Sequence, residues 1–276
     1  MKDILIDTCL DSLKLIPFLF IAFLIIELFE HKLAKKTKAS IIKTKKFGPI
    51  VGALFGAIPQ CGFASVATNL YVTRIISLGT LISIYLSTSD EMLPILLSHN
   101  TPIKDILVIL GIKVVIGIIM GVIIDFLIRK QEKGEFSICD DDKCDCKDSI
   151  IKSSIIHTLK TIIFIFLVTF LLNILMSYIS EDVLSNIFMK KSLFAPIFAS
   201  LIGLIPNCAS SVVITEFYLN GIITMGTCIA GLLTNAGLAL IVLFKTNKNI
   251  KENIGILSII YLIGVISGII INLLII

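Results

Sequence analysis

The stretch GAIPQCGFAS, residues 56–65, interrupts an apolar segment with a proline, an amide, a thiol and a glycine. A related stretch, GLIPNCASS, occupies residues 203–211. Proline removes a backbone hydrogen bond from a helix interior, and glycine weakens the helix further. Both stretches therefore predict a helix that is broken in the middle of an apolar segment, where a lipid-facing helix would run on uninterrupted.

The composition around these breaks is that of an integral membrane protein. Of the 276 residues, 56% are hydrophobic and 16% are charged, and the mean hydropathy is +1.01. Apolar runs of span length predict membrane-spanning helices. No small-residue cleavage site follows the first apolar run, 13–29, so we expect a retained helix there. The net charge of +4 lies in loops, where it indicates orientation in the membrane and no nucleic-acid partner.

The two interrupted stretches belong to an internal repeat with an offset of 147 residues. Matched prolines, glycines and cysteines in one register are not expected from apolar composition alone. The aligned pairs include Pro49 and Pro196, Gly56 and Gly203, Pro59 and Pro206, Cys61 and Cys208, and Tyr71 and Tyr218. We therefore predict a membrane repeat at 1–129, a cytoplasmic Cys/Asp-rich linker at 130–147 and a second membrane repeat at 148–276.

Each half contains four apolar segments, which in the first half lie at 13–30, 49–73, 75–98 and 104–128. The second segment is cut at its centre into two arms of roughly ten residues, each about 15 Å long and half the thickness of a hydrocarbon core. This length predicts a re-entrant hairpin, which places the basic loop 31–47 and the linker on the same, cytoplasmic side. The expected fold is an all-α membrane protein of two inverted repeats, each with three spanning helices and one re-entrant helical hairpin, ten helices in total. The alternative, four crossings per half, gives parallel repeats.

A second polar patch lies in the third segment and consists of Ser87, Thr88, Ser89, Asp90 and Glu91. Carboxylates at such depth cost about 2.5–3.5 kcal/mol each. Pro94 leaves the carbonyl of Asp90 without its helical partner, so the patch resembles a cation site built on a broken helix. The second half keeps Thr234 and Asn235 but carries no acids there, which predicts one dominant carboxylate cluster. Alternatively, the acid pair is interfacial and ends the segment early.

The tips of the two hairpins offer a matched set of amides and thiols. Gln60 and Cys61 stand in the first tip, and Asn207 and Cys208 in the second. Thiolates suit soft or borderline metals, and the amides supply neutral oxygens, so the four residues are candidate ligands of the same cargo. The alternative is that the cysteines are small buried hydrophobes.

Three further residues near the ends of the hairpin arms attract attention. Glu216 is a candidate for an access path or for proton coupling, with an interfacial position as the alternative. Tyr71 and Tyr218 fit the aromatic belt at the membrane–water interface.

The linker contains the sequence CDDDKCDC at 139–146. Cys139, Asp141, Cys144 and Cys146 are candidate ligands of a metal-gathering or metal-sensing loop, although the spacing matches no standard zinc finger. The alternative is a solvated acidic linker. In a cytoplasmic loop the thiols should stay reduced.

The stretches IPQCGFAS, 58–65, and SLGTLISIYLSTSDEMLPILL, 77–97, resemble a family of ten-helix heavy-metal exporters. That family is related to arsenic-efflux permeases, and its members are often labelled manganese transporters. The resemblance covers most of the chain and rests on the PQCG and TSDE stretches. It implies an inner-membrane exporter of a metal or metalloid with five helices per half. Similar proteins often carry a His-rich metal-binding central loop, whereas this linker is rich in Cys and Asp.

The leading interpretation is a secondary active transporter that exports a divalent metal ion, manganese or zinc among them, across the cell membrane. No nucleotide-binding or hydrolase motif is present, so we expect neither an enzyme nor ATP-driven pumping, and no resident cofactor. The expected partners are the metal ion, the lipid bilayer and, in one possible assembly, further copies of the chain. Two alternatives remain open: a transporter of a small organic or metalloid anion with cation coupling, and a membrane metal sensor that uses the linker.

Overall fold

The computed structural model describes residues 47–58, 61–89, 92–128 and 194–275, together with isolated positions within 16–24 and 155–170. All regular secondary structure in these residues is helical. Three stretches among them are long and apolar enough to cross a membrane: Ile103–Ile128, Met225–Thr246 and Ile250–Leu274. The prediction of an all-helical membrane protein is therefore confirmed. The linker lies outside the described residues.

In the described part of the first half, the helices are α1 (Gly48–Gly56), α2 (Cys61–Val72), α3 (Leu78–Ser87), α4 (Met92–Ser98) and α5 (Ile103–Ile128). Pro49 stands in the first turn of α1, where its missing N–H needs no partner. Ser77 caps α3 by accepting a hydrogen bond of 3.2 Å from the Thr80 N–H. Both predicted interruptions are present, between α1 and α2 and between α3 and α4.

The described helices of the second half are α6 (Ala195–Gly203), α7 (Cys208–Leu219), α8 (Met225–Thr234), α9 (Ala239–Thr246) and α10 (Ile250–Ile275). Each begins 147 residues after a helix of the first half. The helix caps repeat as well: the Thr224 side chain caps α8 in the same way as the Ser77 side chain caps α3. Arg74 and Gly221, which lie in the turns after α2 and α7, both adopt left-handed φ values, 60° and 68°. The same local rules thus shape equivalent elements in both halves.

Small residues bring the helices of each half into close contact. A Cβ atom at Gly79 of α3 would lie 2.1 Å from the carbonyl oxygen of Gly121 in α5. One at Gly226 of α8 would lie 2.6 Å from the carbonyl oxygen of Gly268 in α10. Small residues spaced four apart let helix backbones approach where lipid supplies no hydrophobic driving force. The interfaces between α3 and α5 and between α8 and α10 are therefore tight glycine contacts.

The two central helices, α3 and α8, lie inside the molecule, and the two long helices lie outside. Nearly all of the Met225–Thr246 stretch is buried, whereas only 28% of the most apolar window of Ile103–Ile128, and of Ile250–Leu274, is buried. The exposed side chains of the long helices are large and apolar, for example Phe126 and Leu262, as expected for a lipid-facing surface. Buried apolar residues from both halves form one continuous core.

The halves are joined at the turn that follows α2. Arg74 donates two hydrogen bonds to the Glu252 carboxylate, of 2.8 and 3.1 Å, and its guanidinium lies 5.1 Å from the Tyr71 ring centroid. The hydrogen bonds to Glu252 raise the pKa of Arg74, so the guanidinium stays charged. At the same turn, Ser77 donates a hydrogen bond of 2.6 Å to Asp125. The first turn of α10 and the last turn of α5 therefore meet at one end of the molecule.

The opposite ends of these helices meet in a similar way. Thr224 donates a hydrogen bond of 2.7 Å to Asn272, in the last turn of α10. His99, which precedes α5, lies 3.1 Å from Glu216 of α7, and α7 leads into the turn that contains Thr224. Between these two ends α5 and α10 run in opposite directions.

The aromatic-belt prediction is wrong for Tyr71. Tyr71 is buried, with 2% exposed, and its hydroxyl donates to Glu252, so it packs inside the protein and does not face lipid. The contacts that keep Tyr71 inside the protein come from the ion pair at the turn. The carboxylate of Glu252 and the guanidinium of Arg74 hold the tyrosine between the halves.

Candidate functional site

The first candidate element is the interruption between α3 and α4. Ser87, Thr88 and Ser89 are all buried there. Each hydroxyl donates its proton to a backbone carbonyl: Ser87 to Ser83 at 2.9 Å, Thr88 to Ile84 at 2.7 Å and Ser89 to Ser87 at 3.1 Å. A hydroxyl oxygen that has donated its proton keeps two lone pairs, so these oxygens can still act as acceptors. Acceptor oxygens favour a cation or a donor-bearing ligand.

Lys113 reaches this interruption from α5, and sequence reasoning made no prediction for it. It stands near the middle of a helix of 26 residues, and its side chain is 1% exposed. Its ammonium donates a hydrogen bond to the carbonyl of Thr88, the residue that ends α3. Free carbonyls at a helix C-terminus carry partial negative charge, which favours a cation there. The signal was present in the sequence as a single lysine in the centre of an apolar segment.

The second candidate element is the interruption between α8 and α9, whose hydrogen bonds differ from those of the first. Thr234 and Asn235 are buried. The Asn235 Oδ1 atom accepts a hydrogen bond of 2.9 Å from the N–H of Gly237, and Gly237 has φ +54°. The Thr234 hydroxyl donates to the carbonyl of Ser200 at 2.9 Å. This interruption is therefore folded by its own amide turn, without a lysine from α10.

The helices that lead into the predicted hairpin tips, α1 and α6, end beside these interruptions. A Cβ atom at Gly56, the last residue of α1, would lie 2.2 Å from the hydroxyl oxygen of Ser87. At the equivalent place in the second half, one at Gly203 would lie 2.2 Å from the hydroxyl oxygen of Thr234. Only glycine permits this approach, so in each half the sequence brings the tip and the polar patch together.

The interruptions also reach across to the other half. The Ala239 carbonyl oxygen, in the first residue of α9, lies 3.5 Å from both the Thr68 and the Tyr85 hydroxyl oxygens. These two hydroxyls are themselves hydrogen-bonded to each other. The start of α9, directly after the second interruption, therefore packs on α2 and α3 of the first half.

The predicted ligands at the tips are only partly described. Asn207 is buried, and its carbonyl accepts a hydrogen bond of 2.7 Å from the Ser210 hydroxyl. Outside the described residues or side chains lie Gln60, Cys61, Asp90, Glu91, Cys208 and the linker residues Cys139, Asp141, Cys144 and Cys146. Within the described part of the chain, no group of three or more His, Cys, Asp and Glu residues could hold a metal ion.

Glu216 lies away from the interruptions. It stands eight residues beyond the start of α7, which corresponds to about 12 Å along the helix axis. Its carboxylate, with 36% of the side chain exposed, is 3.1 Å from the Nε2 atom of His99. The structure thus pairs Glu216 with a residue of the first half, at the end of the molecule where α5 begins.

Asp125 is a second residue for which sequence reasoning made no commitment. Its two carboxylate oxygens accept hydrogen bonds from the Gly79 N–H at 2.8 Å and from the Ser77 hydroxyl at 2.6 Å. A carboxylate at a helix N-terminus compensates the unpaired N–H groups there. Asp125 thereby fixes the start of α3, and Asn272 occupies the equivalent place in the second half. The repeat alignment contained this signal, because both positions are polar in apolar helices.

Comparison of the sequence with known proteins identifies a family. A family model described as "Putative, 10TM heavy-metal exporter" matches residues 1–192 and 167–275, which confirms the resemblance seen in the sequence. No curated protein and no solved structure matches the chain. Because the matched regions span nearly the whole chain, it belongs to this family of ten-helix heavy-metal exporters.

Proposed function

We propose that this chain is a secondary active transporter that exports a divalent heavy-metal ion, manganese or a related metal, across the cell membrane. One observation carries the proposal: two buried helix interruptions, each lined by hydroxyl groups, lie at equivalent positions of a repeated membrane fold. Interrupted helices at mid-depth are the places where transporters bind ions, because unwound backbone supplies ligands there.

The proposal includes two repeats in inverted orientation. Its support is the geometry of the long helices: the last turn of α5 and the first turn of α10 meet at the turn after α2. Equivalent helices that run in opposite directions are what inverted repeats require. An inverted pair offers the cargo equivalent paths to both sides of the membrane.

Each hairpin is proposed to be re-entrant. Gly48 at the start of α1 lies against Thr80, near the start of α3, and Gly56 at its end lies against Ser87. Since α1 and α3 run side by side in the same direction, α2 must return to the end from which α1 started. At nine and twelve residues, α1 and α2 are about 14 and 18 Å long, too short to cross a hydrocarbon core.

In this proposal Asp90 is the principal ligand, and the remaining oxygen and sulfur ligands surround it. The full set is Gln60, Cys61, Ser87, Thr88, Ser89, Asp90, Glu91, Asn207, Cys208, Thr234 and Asn235. Manganese would use mainly the oxygen ligands, and zinc would use the thiolates more. Exchange of protons on Asp90 or Glu91 would couple export to the proton gradient, and Glu216 would lie on the proton path.

The test is a metal-accumulation panel in cells that express the protein. Wild-type protein should lower the cellular content of one divalent metal, and Asp90→Asn should abolish that effect. The matched control is Asp105→Asn, which removes a carboxylate from the first turn of α5, away from the interruptions. If every metal accumulates equally with wild type, Asp90→Asn and empty vector, export of divalent metals is refuted.

Lys113 favours a second candidate function, the transport of a small organic or metalloid anion with a coupled cation. Its buried ammonium is a group that binds anions. Uptake and efflux of labelled anions in the same cells distinguish the two. In this second case Lys113→Gln should abolish anion flux and Asp90→Asn should change only the coupling ion.

A further inference from the structure

Lys113 is the one charged side chain that is fully buried among the residues that the structure describes. It stands near the middle of α5, a helix of membrane-spanning length. An ionised side chain at that depth is costly, so it is retained for a function and normally faces a specific partner. The described partner is the carbonyl oxygen of Thr88.

That carbonyl is also a natural ligand for a metal ion. It belongs to Thr88, the C-cap residue directly after α3, where a carbonyl has no donor within the helix. Hard divalent cations bind backbone carbonyl oxygens of this kind. The lysine ammonium therefore occupies an oxygen that the proposed cation site would use.

Comparison of the halves shows that the lysine accompanies the acids. The position equivalent to Lys113 is Ile260, which is fully buried in α10. The positions equivalent to Asp90 and Glu91 are Gly237 and Leu238. One half therefore has both the carboxylates and the cation, and the other half has neither. Since α10 packs on α8 with an isoleucine, the helix contact does not need a lysine.

We propose that Lys113 is a tethered counter-cation of the first interruption. Its ammonium donates to the Thr88 carbonyl and is displaced when the transported cation binds. The long, flexible side chain allows the ammonium to withdraw. The inference rests on the proposed function, and it adds a role for Lys113 in the release of the transported cation. The lysine weakens cation binding because its ammonium competes with the cation for the Thr88 carbonyl oxygen.

The test measures cation binding by purified full-length protein in detergent, with Mn²⁺ and Zn²⁺ titrated separately by calorimetry. Lys113→Gln removes the charge but keeps a donor for the Thr88 carbonyl, and Lys113→Arg keeps the charge. The control, Lys104→Gln, removes an exposed lysine at the start of the same helix. Lys113→Ile, which copies Ile260, repeats the measurement if the glutamine variant does not fold.

The neutral variants should bind the cation at least about tenfold more tightly, because a repelling charge has left the site. Their export from proteoliposomes should slow, whereas Lys113→Arg and Lys104→Gln should bind within about threefold of wild type. A lysine with a purely structural role would weaken binding when replaced. If wild type binds a cation and the neutral variants bind it equally or less tightly, the role of Lys113 is overturned while the proposed export function stands. If wild type binds neither cation, export of these metals is overturned, and the inference with it.

Discussion

Replacement of Gly79 by alanine should destabilise the protein, although alanine is the better helix former. The added Cβ would lie 2.1 Å from the carbonyl oxygen of Gly121 and 2.5 Å from the Asp125 Oδ1 atom. Real Cβ atoms essentially never come within 3.0 Å of such atoms, so α3 would have to retreat from α5 by about 1 Å. The carboxylate has some freedom to rotate, but the carbonyl belongs to the α5 backbone and moves only with the helix.

The magnitude follows from two opposing terms. Overpacking of a tight contact costs about 1–3 kcal/mol, and the change from glycine to alanine in a helix returns up to about 1 kcal/mol. The expected net loss is about 1–2 kcal/mol. Gly111 in α5 provides the matched control, because a Cβ there meets no atom within 4 Å. Gly111→Ala keeps the propensity gain without the clash, so its stability should be unchanged or raised by up to about 1 kcal/mol.

The assay is thermal unfolding of the purified protein in detergent, followed by the loss of monodisperse protein after heating. Gly79→Ala should melt below wild type, and Gly226→Ala should show the same loss, since its Cβ meets the Gly268 carbonyl oxygen at 2.6 Å. Gly111→Ala should melt at or above wild type. If Gly79→Ala is as stable as Gly111→Ala, the close approach of α3 and α5 is not rigid and the expected clash is refuted.

Three further predictions concern other contacts. Glu252→Gln should destabilise the protein by about 1 kcal/mol, because it removes a bidentate but partly exposed ion pair with Arg74. Asp105→Asn should cost less, and equal melting temperatures for the two variants would contradict this prediction. Asp125→Ala should cost about 1–2 kcal/mol in the same melting assay, because the start of α3 loses two hydrogen bonds, and a melting curve that matches wild type would exclude a capping role. Deletion of 137–148 should leave metal export intact in the accumulation panel; loss of all function would favour the metal-sensor interpretation.

The sequence predicted the interruptions well, because proline and glycine act locally on backbone hydrogen bonds. Pro59 and Pro206 lie between helices that end at Gly56 and Gly203, and the repeat register places the partner helices to the residue. Such signals need no knowledge of tertiary contacts. Membrane character followed from composition for the same reason.

Contacts between distant parts of the chain could not be predicted in this way. Nothing local indicates that Lys113 points at the end of α3, or that Tyr71 meets a carboxylate 181 residues away. The glutamate that was a candidate for coupling, Glu216, has His99 of the other half as its neighbour. Side-chain partners across the fold depend on how helices pack, and a single sequence contains no direct record of that.

The packing of a helix from the first half on a helix from the second half has a consequence for biosynthesis. Helix α2 packs on α9, and the Thr68 hydroxyl and the Ala239 carbonyl are 171 residues apart in the chain. At a ribosomal speed of about 5–20 residues per second, α2 waits roughly 10–30 s for α9 to be synthesised. During that interval its polar face has no native cover, so a nascent chain would depend on the insertion machinery to shield it. Two fragments cut at the linker should accordingly accumulate only when they are made in the same cell.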